Sequence, residues 1–185
     1  MADVKEEILV TETGSSGDKT APRNEVHIKI VSGPNEHRTF PLAHGQRPVE
    51  VLKIFAVERG VPVEELDLII EGEGEPVSVD IVIDESYPGH KRHHVHHRTP
   101  VEVIIFYQNA HKRREFRRHA TVNDALAWAI EEFKIDPAMA TEFELTRRGE
   151  KTALPGTEHI GHVAGHHKVL ELDLVRGDIA NGSGR

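Results

Sequence analysis

The chain contains no cysteine. That excludes a disulfide framework, a thiolate metal site and a cysteine nucleophile, and it suits a reducing cytosol. No apolar run is long enough to span a bilayer, and the first residues lack the basic stretch and apolar core of a secretion signal. A cytoplasmic location is therefore expected. There is no basic excess either: 23 Lys and Arg stand against 31 Asp and Glu, a formal net charge of −8. General nucleic-acid binding is not expected of such a chain. No histidine stands with a serine and an acid in a hydrolase motif, so hydrolysis has no support and an enzyme is not expected.

What is present is a repeat. Val26-His27-Ile28-Lys29-Ile30-Val31 opens one copy, and Val101-Glu102-Val103-Ile104-Ile105-Phe106 opens a second about 75 residues later. Each is followed by a polar turn, a second short strand pattern, one helical stretch and more strand. The spacing is too long for a solenoid unit and right for a small domain, so a chain of 185 residues reads as two ββαβ units in tandem. The expected division is a disordered tail over 1–24, domains over 25–99 and 100–177, and a flexible tail over 178–185. Within the first tail only Ile8-Leu9-Val10 is apolar.

In the first copy Val26, Ile28 and Ile30 alternate with His27 and Lys29, the period of a half-buried strand. Gly33-Pro34-Asn35 marks a hairpin turn, and Pro41 in the returning strand predicts a sheet edge. Pro48 suits a first helical turn, Val51, Leu52, Phe55 and Ala56 give one apolar face, and Gly60 a stop. Leu66–Ile70 reads as the third strand and 77–83 as a further one. In the second copy Thr121 and Asp124 make a capping box ahead of Val122, Leu126, Ala129, Ile130 and Phe133, with Asp136-Pro137 as the helix end. Phe143–Leu145 is a strand. Leu170–Leu174, with strict alternation, predicts a central strand whose leucines face the helix.

The segment Gly60-Val61-Pro62-Val63-Glu64-Glu65-Leu66-Asp67-Leu68-Ile69-Ile70-Glu71-Gly72 resembles the helix-to-third-strand passage of ubiquitin in its glycines, its proline, its Leu-Ile pair and their spacing. Val175-Arg176-Gly177 is similar to the arginine-glycine end of ubiquitin's last strand. Over residues 25–177 the chain resembles the bacterial tandem ubiquitin-like modifiers, whose genes sit beside those of activating enzymes, conjugating enzymes and JAB-type metalloproteases. The resemblance implies an α+β fold of two tandem β-grasp domains. It also implies conjugation to a target protein in cytoplasmic antiviral defence, without cofactor or membrane. It makes Leu68 and Ile69 an exposed apolar partner-binding patch in domain one. Thr146 stands at the Ile69 position of the second copy. Arg147, Arg148 and Arg176 are further partner-binding candidates. The terminal Gly-Gly of ubiquitin is absent, and His93-His94-Val95-His96-His97 stands where the last strand of the first copy belongs.

A modifier is joined through a glycine carboxylate because a β-carbon would clash in the narrow channel of the activating enzyme, and because glycine adopts whatever backbone angles the channel imposes. Extended chain spans about 3.3–3.6 Å per residue, so Gly177 clears Leu174 by only about 10 Å, against about 27 and 35 Å for Gly182 and Gly184. Gly184 is the first choice for the mature terminus, with Arg185 trimmed. Gly177 is the rival, with 178–185 removed. The competing function is a non-covalent adaptor in which two ubiquitin-like modules bridge partners. RNA or metal binding comes third.

Two histidine groups invite a metal reading: His90, His93, His94, His96 and His97, and His159, His162, His166 and His167. The simpler reading is a solvated interdomain strand and a solvated loop, and no metal site is assigned. Lys112, Arg113, Arg114, Arg117 and Arg118, with Arg147 and Arg148, are expected to share one basic face able to dock an acidic partner. Trp128 is expected to serve packing.

Overall fold

The computed structural model describes residues 24–33, 36–78 and 80–177. Residues 1–23 of the first predicted tail, the second predicted tail with Gly182 and Gly184, the turn residues Pro34 and Asn35, and Val79 lie outside them. Among the described residues no helix is long and apolar enough to cross a membrane.

The first half is built from β1 (Glu25–Gly33), β2 (Glu36–Ala43), α1 (Val49–Arg59), β3 (Leu66–Ile70) and β4 (Arg92–His97). The second half has β5 (Val101–Tyr107), β6 (Ala110–Phe116), α2 (Val122–Glu132), β7 (Phe143–Arg147), α3 (Ile160–Ala164) and β8 (Val169–Arg176). They form two separate four-stranded sheets with the same order, β2-β1-β4-β3 and β6-β5-β8-β7. In each the outer pairs are antiparallel and the central pair, β1 with β4 and β5 with β8, is parallel. A parallel pair needs a crossover, which the long helix supplies on one face. This is the β-grasp arrangement, twice.

The alternation places the cores. Ile28 and Ile30 of β1, Leu66 and Leu68 of β3 and Val95 of β4 pack under Val51, Leu52, Phe55 and Ala56 of α1. Val103, Ile105, Leu145, Leu170, Leu172 and Leu174 pack with Ala125, Ala129 and Ile130 of α2. Pro41 lies in β2, an edge strand, where a missing N–H disrupts no inner ladder. Gly60 caps α1 at φ 63°, a left-handed conformation that glycine tolerates at little cost. Trp128 meets Phe116 edge-on at 5.7 Å, in a packing role.

Three readings need correction. The described part of 77–83 is not a strand. Val77 N–H reaches Leu68 O, and Ile83 exchanges backbone bonds with Gly45 and Gln46, so this segment closes over the core as irregular chain. The helix α2 stops before Asp136-Pro137, because Lys134 turns left-handed at φ 54°; Asp136 instead caps the 3₁₀ turn Pro137–Glu142. The histidine segment is a true last strand, β4, paired on both sides and largely buried.

The capping box is formed: Asp124 N–H donates to Thr121 Oγ1 at 3.1 Å, and Thr121 N–H donates to Asp124 Oδ2 at 2.7 Å. Thr121→Ala removes one half of it, and the expected loss is about 0.5–2 kcal/mol. Urea unfolding checks this through a lower midpoint at unchanged slope.

Candidate functional site

A sheet has two faces, and α1 covers only one face of the first sheet. On the other, register places Val31 of β1 beside His94 of β4, and His94 beside Ile69 of β3. None of the three belongs to the core under α1, yet Val31 is 6%, His94 7% and Ile69 1% exposed. The second domain lies over this row. Its short helix α3 packs against β5 and β8 of its own sheet and against β1 and β4 of the first. Ile160, Val163 and Ala164 point into the core of domain two, while His159 and His162 meet β4.

The close approach depends on Gly161. A β-carbon there would come within 2.7 Å of His96 Nδ1 and of Arg118 Cβ. Beside it Arg118, 4% exposed, spends its guanidinium on three carbonyls: Nε on Thr99 at 2.9 Å, Nη1 on Gly165 at 2.7 Å and Nη2 on His167 at 2.9 Å. Thr99 belongs to the link between the sheets, so this side chain ties that link to the end of α3. Arg117 and Glu75 add an exposed ion pair across the domains at 3.5 Å.

The result is a cluster of four imidazoles, two from each domain. Ligand-capable atoms of His94, His96, His159 and His162 all lie within 4.8 Å of one another. His96 Nε2 and His159 Nδ1 are hydrogen-bonded at 2.8 Å, one ring donating and the other accepting. His162 Nδ1 lies 2.7 Å from Glu158 Oε1; the carboxylate can only accept, so Nδ1 carries the hydrogen and Nε2 the lone pair. That Nε2 and both ring nitrogens of His94 are buried with no hydrogen-bond partner. His93, one residue away on the opposite face of β4, is a contrast. Its Nδ1–H donates to Lys91 O and its Nε2 accepts from the Tyr87 hydroxyl, each at 3.0 Å. It is a satisfied core histidine.

Burial, reinforced by the neighbouring imidazoles, keeps the cluster neutral. It lowers His94 to about 3 and His159 to about 4, and it drives His96 well below the ordinary value. Burial also lowers His162, with Glu158 opposing. Four neutral imidazoles in a largely buried cluster can hold a metal, or can stand as a stack that resists protonation.

The other sequence-derived candidates separate. Leu68 lies in the core of domain one, and Ile69 is buried rather than exposed, so the expected free apolar patch on domain one is not formed. The two residues do not form one patch: Leu68 belongs to the core under α1 and Ile69 does not. Thr146, at the matching place in domain two, is also buried. The expected single basic face is not formed. β6 and β7 are opposite edges of their sheet, Arg118 is buried, and Lys112 and Arg113 pair with Glu132 at 3.7 Å and Glu102 at 3.9 Å. Arg147 turns inward and donates to Val163 O. Arg148 lies 3.2 Å over the Phe106 ring and 3.5 Å from Asp173, on the outer face of the second sheet, which is half-exposed at Ile104, Phe106 and Val175. Arg176 lies 3.8 Å from Glu142, and Gly177 N–H donates to Glu142 O at 2.8 Å. The two histidine groups were visible in the sequence; their meeting was not, because more than sixty residues and a domain boundary separate them (His96 and His159 stand 63 apart).

Two outcomes follow. Histidines held neutral have folded pKa values below the unfolded value of about 6.5, so the unfolded chain takes up protons first as pH falls. The stability they contribute is full above about pH 6.5 and declines below it, toward the values near 4 and 3 at which His159 and His94 themselves titrate. Urea midpoints in chelator should fall between pH 7.5 and 5; a flat profile contradicts the burial of the cluster. Ile69→Arg should open the domain pair, raising the radius of gyration in solution scattering while the circular dichroism of both sheets persists. An unchanged radius contradicts the docking role of Ile69.

Residues 102–177 match the family model described as BilA ubiquitin-like domain 2. No curated protein matches the sequence. Among solved structures, the chain is similar to Caldiarchaeum subterraneum ubiquitin, with 18% identity, a TM-score of 0.36, and coverage of 44% of this chain and 98% of that one. It is also similar to the N-terminal ubiquitin-like domain in the 4931431F19Rik protein, with 19% identity, a TM-score of 0.31, and coverage of 47% and 88%. The chain thus carries two β-grasp sheets of one topology, and the second of them is matched by a ubiquitin-like family model.

Proposed function

We propose that this protein is a modifier, joined to target proteins through the carboxylate of a glycine beyond its last strand. The observation that carries the reading is how β8 delivers the chain. This central strand, held through Leu170, Leu172 and Leu174, ends at Arg176, and the match to the family model runs to Gly177. The segment that follows holds Gly182 and Gly184. By its likeness to ubiquitin-like modifiers, a JAB-type metalloprotease cuts after one of these glycines. The freed carboxylate attacks the α-phosphate of ATP and releases pyrophosphate. An activating-enzyme thiolate then displaces AMP, and a conjugating enzyme passes the acyl group to a nucleophile on the target. The setting, by the same likeness, is bacterial antiviral defence in the cytoplasm.

Gly177 is tied down by its bond to Glu142 O, and a protease would have to free that bond to seat the chain on both sides of the cut. This favours Gly184 as the new terminus, with Gly177 the rival. The open outer face of domain two, with Arg148 over Phe106, is the surface offered to the activating enzyme. The buried residues of the first sheet are not.

Mass spectrometry after incubation with the cognate protease tests the site. A chain ending at Gly184 is expected, and one ending at Gly177 reverses the order of the two glycines. With activating enzyme and ATP, the processed chain should form a thiol-sensitive adduct that Gly184→Val abolishes. If deletion of 176–185 leaves the cellular activity intact, conjugation fails and the non-covalent adaptor takes its place.

A further inference from the structure

We propose that His94, His96, His159 and His162 bind one divalent transition-metal ion, zinc first, and that the ion staples the two ubiquitin-like domains together. Each domain gives two ligands: His94 and His96 from alternate positions of β4, and His159 and His162 from the start and middle of α3. The inference does not depend on conjugation.

Several observations converge. The nitrogen atoms already lie within 4.8 Å of one another, and zinc–nitrogen bonds of about 2.0–2.1 Å place tetrahedral ligands about 3.3 Å apart, so modest side-chain rotations close the site. His96 Nε2 and His159 Nδ1, now 2.8 Å apart, would part slightly to take the ion between them. His162 is prepared as a ligand: Glu158 holds its Nδ1–H, which fixes the tautomer that turns the Nε2 lone pair inward. That Nε2 and the His94 nitrogens are buried and otherwise unpartnered, a costly state that coordination relieves.

The donor set also limits the role. Imidazole suits zinc, copper and nickel, and zinc imposes no ligand-field preference on the geometry. Four protein ligands fill a tetrahedral shell and leave no position for water, so the site is structural and not hydrolytic. Because half the ligands come from each domain, the ion binds only the docked arrangement, and binding free energy becomes docking free energy.

The test uses the full chain, stripped with EDTA and titrated with Zn²⁺ against a chromophoric chelator. One ion per chain is expected. Glu158→Gln, which leaves all four ligands in place, should weaken binding by about 10–100-fold, and His162→Ala by more. His27→Ala and His111→Ala, at exposed histidines outside the cluster, should leave it unchanged. A substituted interface can fail to fold, so zinc K-edge absorption on the unsubstituted chain gives a second reading. Four nitrogen scatterers at about 2.0–2.1 Å with imidazole multiple scattering are expected. One or two imidazoles per ion overturns the proposal. So does binding that His162→Ala leaves intact, or that is lost in the two control variants.

Discussion

The architecture depends on one contact, the seating of α3 on the uncovered face of the first sheet. A β-grasp domain has a single long helix for a sheet with two faces, so one face ordinarily meets water. Here α3 of the other half of the chain packs on β1 and β4, where Val31 and His94 are buried side by side. Domains of this size bury a modest fraction of their surface alone, and each gains from a shared interface. Gly161 permits the approach by lacking a side chain, and Arg118 fastens the short link to the same spot. Remove either and the two sheets lose their common reference.

The parts of the fold that rest on periodicity were legible. Val26, Ile28 and Ile30 declared β1 and Leu170, Leu172 and Leu174 declared β8, because burial on one sheet face imposes a period of two whatever the tertiary context. The Thr121–Asp124 box and Gly60 marked helix ends through local backbone chemistry, which needs no partner. β4 was harder, since its inward residues include His93, whose burial is made tolerable by Tyr87 and the Lys91 carbonyl rather than by its own character. α3 is five residues long and gives no period to read.

What sequence could not convey is which face stays free. Likeness to ubiquitin made Ile69 an exposed recognition residue, a sound inference for a lone domain. The error lay in the context: a second domain that arrives later in the chain occupies that face. The histidine cluster was hidden for the same reason. Each group alone looked like a solvated run, and only the docking turns a pair of ordinary motifs into one buried, unpartnered set.

The covered face alters how many times the protein can be counted by what reads it. A string of ubiquitin-like beads joined by a loose linker gains avidity from repetition, since a reader with two sites engages two beads at once. This chain has the repetition without the multiplicity. One copy of the outer face serves as an internal seat, and one remains for others, so a reader of that face meets a monovalent molecule twice the mass of a single domain.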